Sequence, residues 1–474
     1  MLILRPYQQQ FINSIRTEMS KGVKHIICQA PTGSGKTLVF TYIAKSAFDK
    51  GNSILILTNR GELLEQAGGS FDKINLPHSW LTTDVKEVPT DRVIIAMVET
   101  LNRRCRATIF SEWVMSFDIV IVDEAHISSF NKFYQYISPS TILLGFTATP
   151  YRTGNMVPLH DHYDTIVVSE DIASLIDQKF LSEPEYYGIS VDLSGVKKIG
   201  GEFSEHDLEE RYTKTKTFAS IEVNYSRLIQ GRKSIVFCPT IKTAEFVRDQ
   251  LLTFATESIF LVHGELSQSA REEQLENFAD SYPAIIINVG ILTTGYDCPD
   301  IDTVILYRAT TSLPLYLQMI GRGSRTTPTK TTFRILDFGQ NVQRHNFWHS
   351  HRSWSLDIIK ANKGEGVAPI KDCPKCNALI TTSSMVCVKC GFVFPVKKPK
   401  KTDNEIMLER IETLPTAIIK RVFYLEQTRI AKSLSLGWIV RQMKTMSELK
   451  AYGQMKGYSN FWPYKAIKLY KFKL

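Results

Sequence analysis

Residues 26–37 read Ile-Ile-Cys-Gln-Ala-Pro-Thr-Gly-Ser-Gly-Lys-Thr, a short apolar run, a loop of small residues, then a Lys-Thr pair opening an amphipathic segment. This is the layout of a phosphate-binding loop between a strand and a helix. Gly33 and Gly35 let the backbone curl so that the N–H groups of Ala30, Thr32, Gly33, Ser34 and Gly35 line a cradle, to which Pro31 contributes no donor. The N-terminus of the helix that follows adds partial positive charge. Lys36 is then placed to reach the β- and γ-phosphates of a nucleotide, and the Thr37 hydroxyl to ligate Mg²⁺. The usual first glycine of such loops is Ala30 here, and a residue that small still fits. Taken alone, the stretch is also compatible with a glycine-rich turn that binds nothing.

Around this loop the chain has α/β texture. Apolar β-rich runs recur at 26–28, 53–57, 93–97, 118–122 and 141–146, each hydrophobic at consecutive positions. Consecutive burial fits parallel strands covered on both faces. Helical segments at 36–49 and 61–67 lie between them, which predicts a doubly wound domain with ligands at the carboxyl ends of its strands. A second series of strands follows at 234–238, 259–262, 284–289, 303–307 and 333–337, with helices predicted at 240–254 and 269–280. Between the two, residues 151 to about 185 lose the pattern and read as a connection. His160 and His162 within it have no partner pair nearby and are read as solvated.

Three stretches at strand ends carry chemistry. The run Phe117–Val122 delivers Asp123-Glu124-Ala125-His126, and two adjacent carboxylates are costly as core decoration. They make sense if Asp123 holds Mg²⁺ and Glu124 polarises an attacking water. The run Leu143–Phe146 delivers Thr147-Ala148-Thr149-Pro150, whose hydroxyls are placed to bond near the phosphate site, or simply to cap a strand. In Gln318-Met319-Ile320-Gly321-Arg322-Gly323-Ser324-Arg325, two arginines three apart share a helical face. Guanidinium forks suit phosphate oxygens developing charge, although from the residues alone a surface role is the plainer reading. At the N-terminus, Pro6 suits a helix start, and Tyr7, Phe11 and Ile15 mark one apolar face.

The order APTGSGKT, DEAH, TATP, QMIGRGSR resembles the superfamily 2 helicases and translocases over roughly residues 1–345. The resemblance implies two RecA-like domains with ATP in the cleft between them. It implies that Arg5 and Gln8 recognise adenine and that Gly295 and Asp297 lie near the ribose. It makes Gln318 a γ-phosphate sensor, Arg322 and Arg325 arginine fingers supplied in cis, and His126, Thr147 and Thr149 the coupling between nucleotide state and domain closure. Thr58-Asn59-Arg60 through Gln66, and Met97 to Leu101 with Thr100, look like first-domain nucleic-acid contacts. Val262-His263-Gly264 and Thr293 to Asp297 look like their second-domain counterparts. Within the superfamily the stretches FTATPYR (146–152), GYDCP (295–299), GRGSR (321–325) and DFG to Arg344-His345 resemble RadD-like and phage-encoded DNA helicases. Thr294 departs from the acidic residue often found there.

Two CxxC pairs follow, Cys373/Cys376 and Cys387/Cys390, ten residues apart. That is zinc-ribbon spacing, a closed tetrahedral site of four thiolates whose Zn²⁺ is structural and supplies folding energy. Cys28, Cys105, Cys238 and Cys298 are scattered and read as buried thiols. The net charge is +9, and residues 402–474 hold +7 of it, with 13 Lys and Arg against 6 Asp and Glu. Lys397–Lys401 reads as a basic linker, 404–432 as helical, and 437–474 interleaves lysines with Trp438, Tyr452, Tyr458, Phe461, Trp462, Tyr464, Tyr470 and Phe472. That mixture suits a strand-tracking surface, or a small helical core with a basic exterior. His345, His349 and His351 with Trp348 and Trp354 read as a packing patch at a domain edge.

No basic leader followed by an apolar run opens the chain, and no apolar stretch approaches the ~20 residues of a membrane span, so the expected location is the cytoplasm, a host's if the chain is phage-encoded, with no membrane partner. The expected organisation is a RecA-like domain at 1–155, a connection at 156–185, a second RecA-like domain at 186–345, a zinc ribbon at 370–396 and a basic, mainly helical region at 402–474. The expected function is an ATP-dependent DNA helicase or translocase that remodels forks or branched junctions in replication, repair or recombination, with single-stranded, duplex or branched DNA as partner and replication or repair proteins beside it. An RNA helicase and the motor of a restriction system are the alternatives; a non-enzymatic zinc-containing nucleic-acid-binding protein fits less well.

Overall fold

The computed structural model describes residues 3–357 apart from 60, 153–155, 189–192, 194, 214–220, 223–224 and 294, and beyond them 370–372, 379–381, 409–411, 416–456, 458 and 462–469. Two seven-stranded sheets dominate. The first contains β1 (His25–Gln29), β2 (Ile54–Thr58), β3 (Ser79–Leu81), β4 (Val93–Met97), β5 (Ile119–Asp123), β6 (Ile142–Thr147) and β7 (Thr165–Val168). Their order is β3-β4-β2-β5-β6-β1-β7, and every pair is parallel. The consecutive apolar residues have a direct explanation. Ile26, Cys28, Ile54, Ile56, Ile119 and Ile121 feed the core on one face, while Ile27, Leu55, Leu57, Val120 and Val122 feed the core on the other. A strand buried on both faces has no place for the polar alternation of a half-exposed sheet.

The second sheet contains β8 (Glu183–Gly188), β11 (Lys233–Phe237), β12 (Ser258–Val262), β13 (Ala284–Asn288), β14 (Thr303–Leu306), β15 (Thr332–Asp337) and β18 (Glu409–Ile411), in the order β12-β13-β11-β14-β15-β8-β18. A small antiparallel hairpin, β9 (Lys198–Ile199) and β10 (Glu202–Phe203), stands apart from it. The same division holds here, with Ile235, Phe237, Ile286 and Val304 on one face and Val236, Ile285, Ile287 and Ile305 on the other. These are two parallel-sheet α/β domains in tandem, an arrangement consistent with the RecA-like helicase fold.

Two stretches and one residue, His162, differ from expectation. The segment read as a loose connection contributes β7, which pairs with β1, so Thr165–Val168 completes the first sheet. The stretch read as helical from 404 contains β18, antiparallel to β8, and the helix begins only at Thr416. Glu409, Arg410 and Ile411 find open backbone groups on the edge strand β8, which is a stronger local pull than helix propensity. His160 is exposed and bonds Asp357 at 2.9 Å, whereas His162 is half-buried with its ring 4.3 Å from that of Tyr134.

The two domains touch at several places besides their connection. Tyr7 of the first helix (Pro6–Ser20) belongs to the second domain's core and lies 5.0 Å from the Phe180 ring. After the second sheet the chain crosses back: Leu159 and His160 donate backbone bonds to Leu356, at 3.0 and 3.3 Å. His345, His349 and Trp348 do form packing contacts, His345 stacked on Tyr316 and His349 beside Tyr186. Beyond them, helices Thr416–Ala431, Leu436–Gln442, Met446–Met455 and Trp462–Leu469 close a small core of Val422, Ile439, Val440, Leu449, Tyr452 and Trp462. Tyr452 and Trp462 are therefore core rings, and Glu426 bonds Arg429, Tyr452 and Lys456. Cys28, Cys105, Cys238 and Cys298 are buried free thiols. Among the described residues no helix is long and apolar enough to cross a membrane.

Candidate nucleotide site at the domain junction

The loop after β1 is held at both ends. Ala30 N–H donates to the Thr147 carbonyl at 3.1 Å, and the Ser34 hydroxyl and N–H bond the Pro31 carbonyl at 2.7 and 3.2 Å. Ala30 is thus the last residue tied to the sheet, with ordinary backbone and a buried methyl, which is why glycine is dispensable there. Gly33 and Gly35 are not dispensable: their φ angles are +85° and +81°, in the left-handed region. A Cβ on Gly33 would stand 2.8 Å from the Ser324 hydroxyl, and one on Gly35 2.6 Å from the Gln8 amide nitrogen. Gly35 caps the helix Lys36–Phe48, whose first residues are Lys36 and Thr37.

Gln8 is placed differently from a free adenine reader. Its amide donates to the Ser34 carbonyl at 3.0 Å and accepts from Arg5 N–H at 2.9 Å, while Tyr7 also donates to Ser34 at 2.8 Å. The first helix therefore grips the phosphate loop directly. The Arg5 guanidinium lies 4.9 Å from the Phe180 ring.

Asp123 ends β5, and Glu124 takes a left-handed φ of +53°, a conformation that costs a non-glycine residue about 1 kcal/mol or more. The turn carries the Glu124 side chain toward His126, whose Nδ1 lies 3.4 Å from Glu124 Oε2 and 2.9 Å from Thr147 Oγ1. Thr147 Oγ1 in turn accepts from Thr149 N–H at 3.0 Å, so His126, Thr147 and Thr149 form one chain of contacts behind the carboxylates. Burial, then the neighbouring Glu124 charge, pushes the Asp123 carboxyl up from its ordinary value. Burial also pushes Glu124 up, but Lys36, His126 and Arg322 together hold it below its ordinary value. Two buried carboxylates facing the single lysine Lys36 fit a divalent cation at Asp123, and Thr37, at the start of the same helix as Lys36, is the hydroxyl that would share it.

One residue here was quoted in the sequence without a role. Arg152 is 1% exposed and donates to the carbonyls of Ala125, His126 and Ile127 at 3.3, 3.1 and 3.4 Å, to Val157 O at 2.6 Å and to Asn131 Oδ1 at 2.9 Å. It pins the loop carrying Glu124 and His126 from beneath. The only sequence signal was its place in the 146–152 stretch, two residues after Pro150.

The second domain arrives on the helix Leu313–Gly321. Gln318 is buried on it. Arg322 donates to the Thr293 carbonyl at 2.7 Å and to the Tyr296 carbonyl, and Arg325 pairs with Asp297 at 2.6 Å. Burial, then the charge of Arg325, lowers Arg322 to about 10, so it stays charged at neutral pH. Gly321 packs against the phosphate loop so closely that a Cβ would stand 2.4 Å from Thr32 Cγ2. Lys36, Asp123 and Glu124 are thus brought together with Arg322, and Arg325 and Asp297 sit beside it. Gly295, with φ +75°, turns the chain between Thr293 and Asp297.

The residues expected to touch nucleic acid are placed unevenly. Thr100 and Thr293 are buried, and the Thr293 hydroxyl donates to Gly290 O at 3.2 Å; His263 is half-buried after β12; Arg60 lies outside the described residues. Cys373, Cys376, Cys387 and Cys390 also lie outside them. A separate cavity of about 400 Å³ lies between the domains, lined by Tyr7, Phe11, Trp348, Trp354, Asp171 and Lys420 among others; of the loop it touches only Pro31 and Thr32.

A family model described as the res subunit of type III restriction enzymes matches residues 1–152, and one described as the helicase conserved C-terminal domain matches residues 216–327. The chain belongs to the superfamily 2 helicases. It is an ATP-hydrolysing enzyme of that superfamily. A 51.5 kDa protein of a Lactococcus phage is 27% identical over 424 residues, 88% of each chain. The putative ATP-dependent helicase IRC3 of Saccharomyces cerevisiae is 29% identical over 359 residues, 71% of this chain and 51% of that one. The EcoKI type I restriction endonuclease subunit of Escherichia coli is 25% identical over 405 residues, 70% of this chain and 34% of the other. The chain therefore spans about half the length of the yeast relative and a third of the restriction subunit. A fragment of a putative HsdR subunit from Vibrio vulnificus shares the fold, with TM-score 0.57 and 22% identity over 75% of this chain and 68% of that one.

Proposed function

We propose that this helicase-family ATPase is a DNA translocase or helicase that remodels forks or branched junctions in replication, repair or recombination, acting in the cytoplasm beside replication or repair proteins. The observation that carries the reading is the pairing of loop residues from one domain with arginines from the other. A site whose charges come from two bodies hydrolyses only when they close, so turnover is tied to movement. Lys36 and the loop amides hold the phosphates, Glu124 orients water, and Arg322 and Arg325 stabilise the charge that develops in transfer. Gln318 senses the γ-phosphate. Bound at Thr37 and Asp123, Mg²⁺ would neutralise phosphate charge. Arg5 and Gln8 bound the adenine, Gly295 and Asp297 the ribose. The His126–Thr147–Thr149 chain transmits occupancy to the junction.

On this reading residues 1–155 and 186–345 are the two motor domains joined by 156–185, and Arg60, Thr100, His263 and Thr293 mark the nucleic-acid track, reached by the buried threonines through backbone groups or on opening. The cysteines form a zinc ribbon at 370–396, followed by the basic region at 402–474. In support, strands β16 (Ile370–Asp372) and β17 (Leu379–Thr381) pair antiparallel and bracket Cys373 and Cys376. Metal analysis of the purified chain should give one zinc per molecule, and none after Cys373→Ser with Cys376→Ser.

The deciding experiment compares ATPase stimulation and unwinding on matched single-stranded, duplex, forked and four-way DNA and on RNA. Preferential stimulation by RNA would overturn the DNA reading. Similarity to the EcoKI subunit favours a second reading, the motor of a restriction system. ATP-dependent cleavage of plasmid DNA only when a partner subunit is added would favour it.

A further inference from the structure

Behind the two arginines lies a buried ammonium. Lys330 is 8% exposed and sits in a tight turn before β15, where it and Thr327 exchange backbone bonds at 3.1 and 3.2 Å. Its Nζ donates to three carbonyls, Pro299 at 2.6 Å, Ile301 at 2.7 Å and Gly323 at 3.0 Å. Two of these acceptors follow Asp297 in the chain, and the third lies one residue after Arg322. The three donors of one ammonium therefore fasten the loop that receives both guanidinium groups to the turn that carries them.

We propose that Lys330 is a positioning residue for ATP hydrolysis, locking the 295–301 loop and the 321–325 turn into one unit so that Arg322 and Arg325 reach the cleft at fixed spacing. The proposal rests on the reading of those arginines as the second domain's contribution to the site. Each is already bonded to that loop, Arg322 to the carbonyls of Thr293 and Tyr296 and Arg325 to Asp297. Those bonds fix the arginines relative to the loop only; Lys330 ties the loop to the backbone from which they spring.

A role in stability alone explains the residue poorly. Burial lowers its pKa to about 8, with Arg325 also lowering it and Asp302, Asp300 and Cys298 raising it. A lysine whose folded pKa lies below its unfolded value binds fewer protons folded than unfolded between those two values, so this group's contribution to stability improves as pH rises from about 8 toward about 10.4. Positioning has the opposite sign. Deprotonation leaves two N–H donors for three carbonyls and removes the charge, so turnover should fall across the same range. The groups facing the ammonium are Asp300, Asp302, Arg325 and the Cys298 thiol, whose own pKa is raised by burial.

The test is steady-state DNA-stimulated ATPase of the full chain from pH 7 to 9.5, for wild type and Lys330→Met, with amide hydrogen exchange at pH 7 as a readout independent of turnover. Wild type should lose kcat roughly tenfold by pH 9, with KM for ATP unchanged. Lys330→Met should start 10- to 100-fold lower in kcat, on the scale of a small misplacement of a catalytic group, and lack the alkaline limb. Its amides over 295–301 and 321–327 should exchange faster while those of β1 and β5 do not. A Lys330→Met enzyme with wild-type kcat, or a wild-type kcat flat to pH 9.5, overturns the proposal; the wild-type profile stands as a test even if the variant does not fold. Arg322→Ala separates the two readings: if it retains full turnover, the arginine assignment itself fails, whereas loss of turnover there with normal Lys330→Met leaves that assignment intact and removes only Lys330.

Discussion

Gly321→Ala tests the domain junction with a single methyl group. In an isolated helix the change is favourable by about 1 kcal/mol, because alanine loses less backbone entropy than glycine. Gly321 ends the Leu313–Gly321 helix, so the second domain alone should tolerate or welcome it. In the joined structure the new carbon would stand 2.4 Å from Thr32 Cγ2 and 2.7 Å from Thr32 Cβ. Thr32 is buried in the phosphate loop and has little room to retreat. Overpacking of this kind costs about 1–3 kcal/mol, and that cost falls on the closed arrangement alone. If hydrolysis requires closure, kcat should fall by roughly 5- to 150-fold, since each 1.36 kcal/mol is tenfold. Nucleotide affinity of the first domain should change much less, because the loop itself is untouched. The assay is DNA-stimulated phosphate release together with equilibrium binding of a fluorescent ATP analogue. Adding Thr32→Ser removes the nearer carbon and should recover part of the loss. Wild-type kcat in Gly321→Ala would refute the claim that the active state brings these surfaces together.

Lys36→Ala and Glu124→Gln should each abolish measurable ATP hydrolysis while leaving circular dichroism and thermal unfolding near wild type; normal turnover in either purified variant would remove them from the site. Asp123→Asn should raise the Mg²⁺ concentration needed for half-maximal ATPase by tenfold or more, and an unchanged Mg²⁺ titration would argue against Asp123 as a ligand. Arg152→Met leaves the carbonyls of residues 125–127 without their buried donor, a loss on the order of 3 kcal/mol that should lower Tm by roughly 6–12 °C. An unchanged Tm would mean that those carbonyls find other partners.

The sheets were legible because a strand buried on both faces must be apolar at consecutive positions, and ten of the runs in 26–337 carry that signature. β3, β8 and β18 lack it, whereas β7, Thr-Ile-Val-Val, carries only a short version of it. β3 is a three-residue strand, and β8 reads Glu-Pro-Glu-Tyr-Tyr-Gly, too polar to announce itself. β7 was hidden in a stretch whose glycine, proline and histidines suggested only a linker. β18 is set by an open edge on β8 that no local reading of residues 409–411 contains. In the site, the motifs fixed which residues gather, yet not their partners. Gln8 reads as a nucleotide contact only through the family resemblance, while the structure spends its amide on Ser34 and Arg5. Arg152 and Lys330 were invisible as site residues because nearly all their partners are backbone carbonyls, and a carbonyl leaves no mark in a sequence.

That last point bears on how the two halves of the site communicate. Each half is braced by a buried cation bonded to carbonyls: Arg152 under the Ala125–Ile127 turn, Lys330 under the Pro299–Ile301 segment and Gly323. A side-chain ion pair at either place would bend with the charge of its partner as nucleotide enters and leaves. Carbonyl dipoles carry no titratable charge, so these braces keep their geometry while Lys36, Glu124 and Arg322 change surroundings. Movement of one half against the other then falls on the contacts between them, among them Gly321 on Thr32, Ser324 beside Gly33, and Tyr7 against Phe180. Rigid halves with a narrow, close-packed seam transmit a displacement instead of absorbing it. On that argument a motor of this construction should tolerate substitutions on its outer helices far better than at the seam, where one methyl group is enough to hold it open.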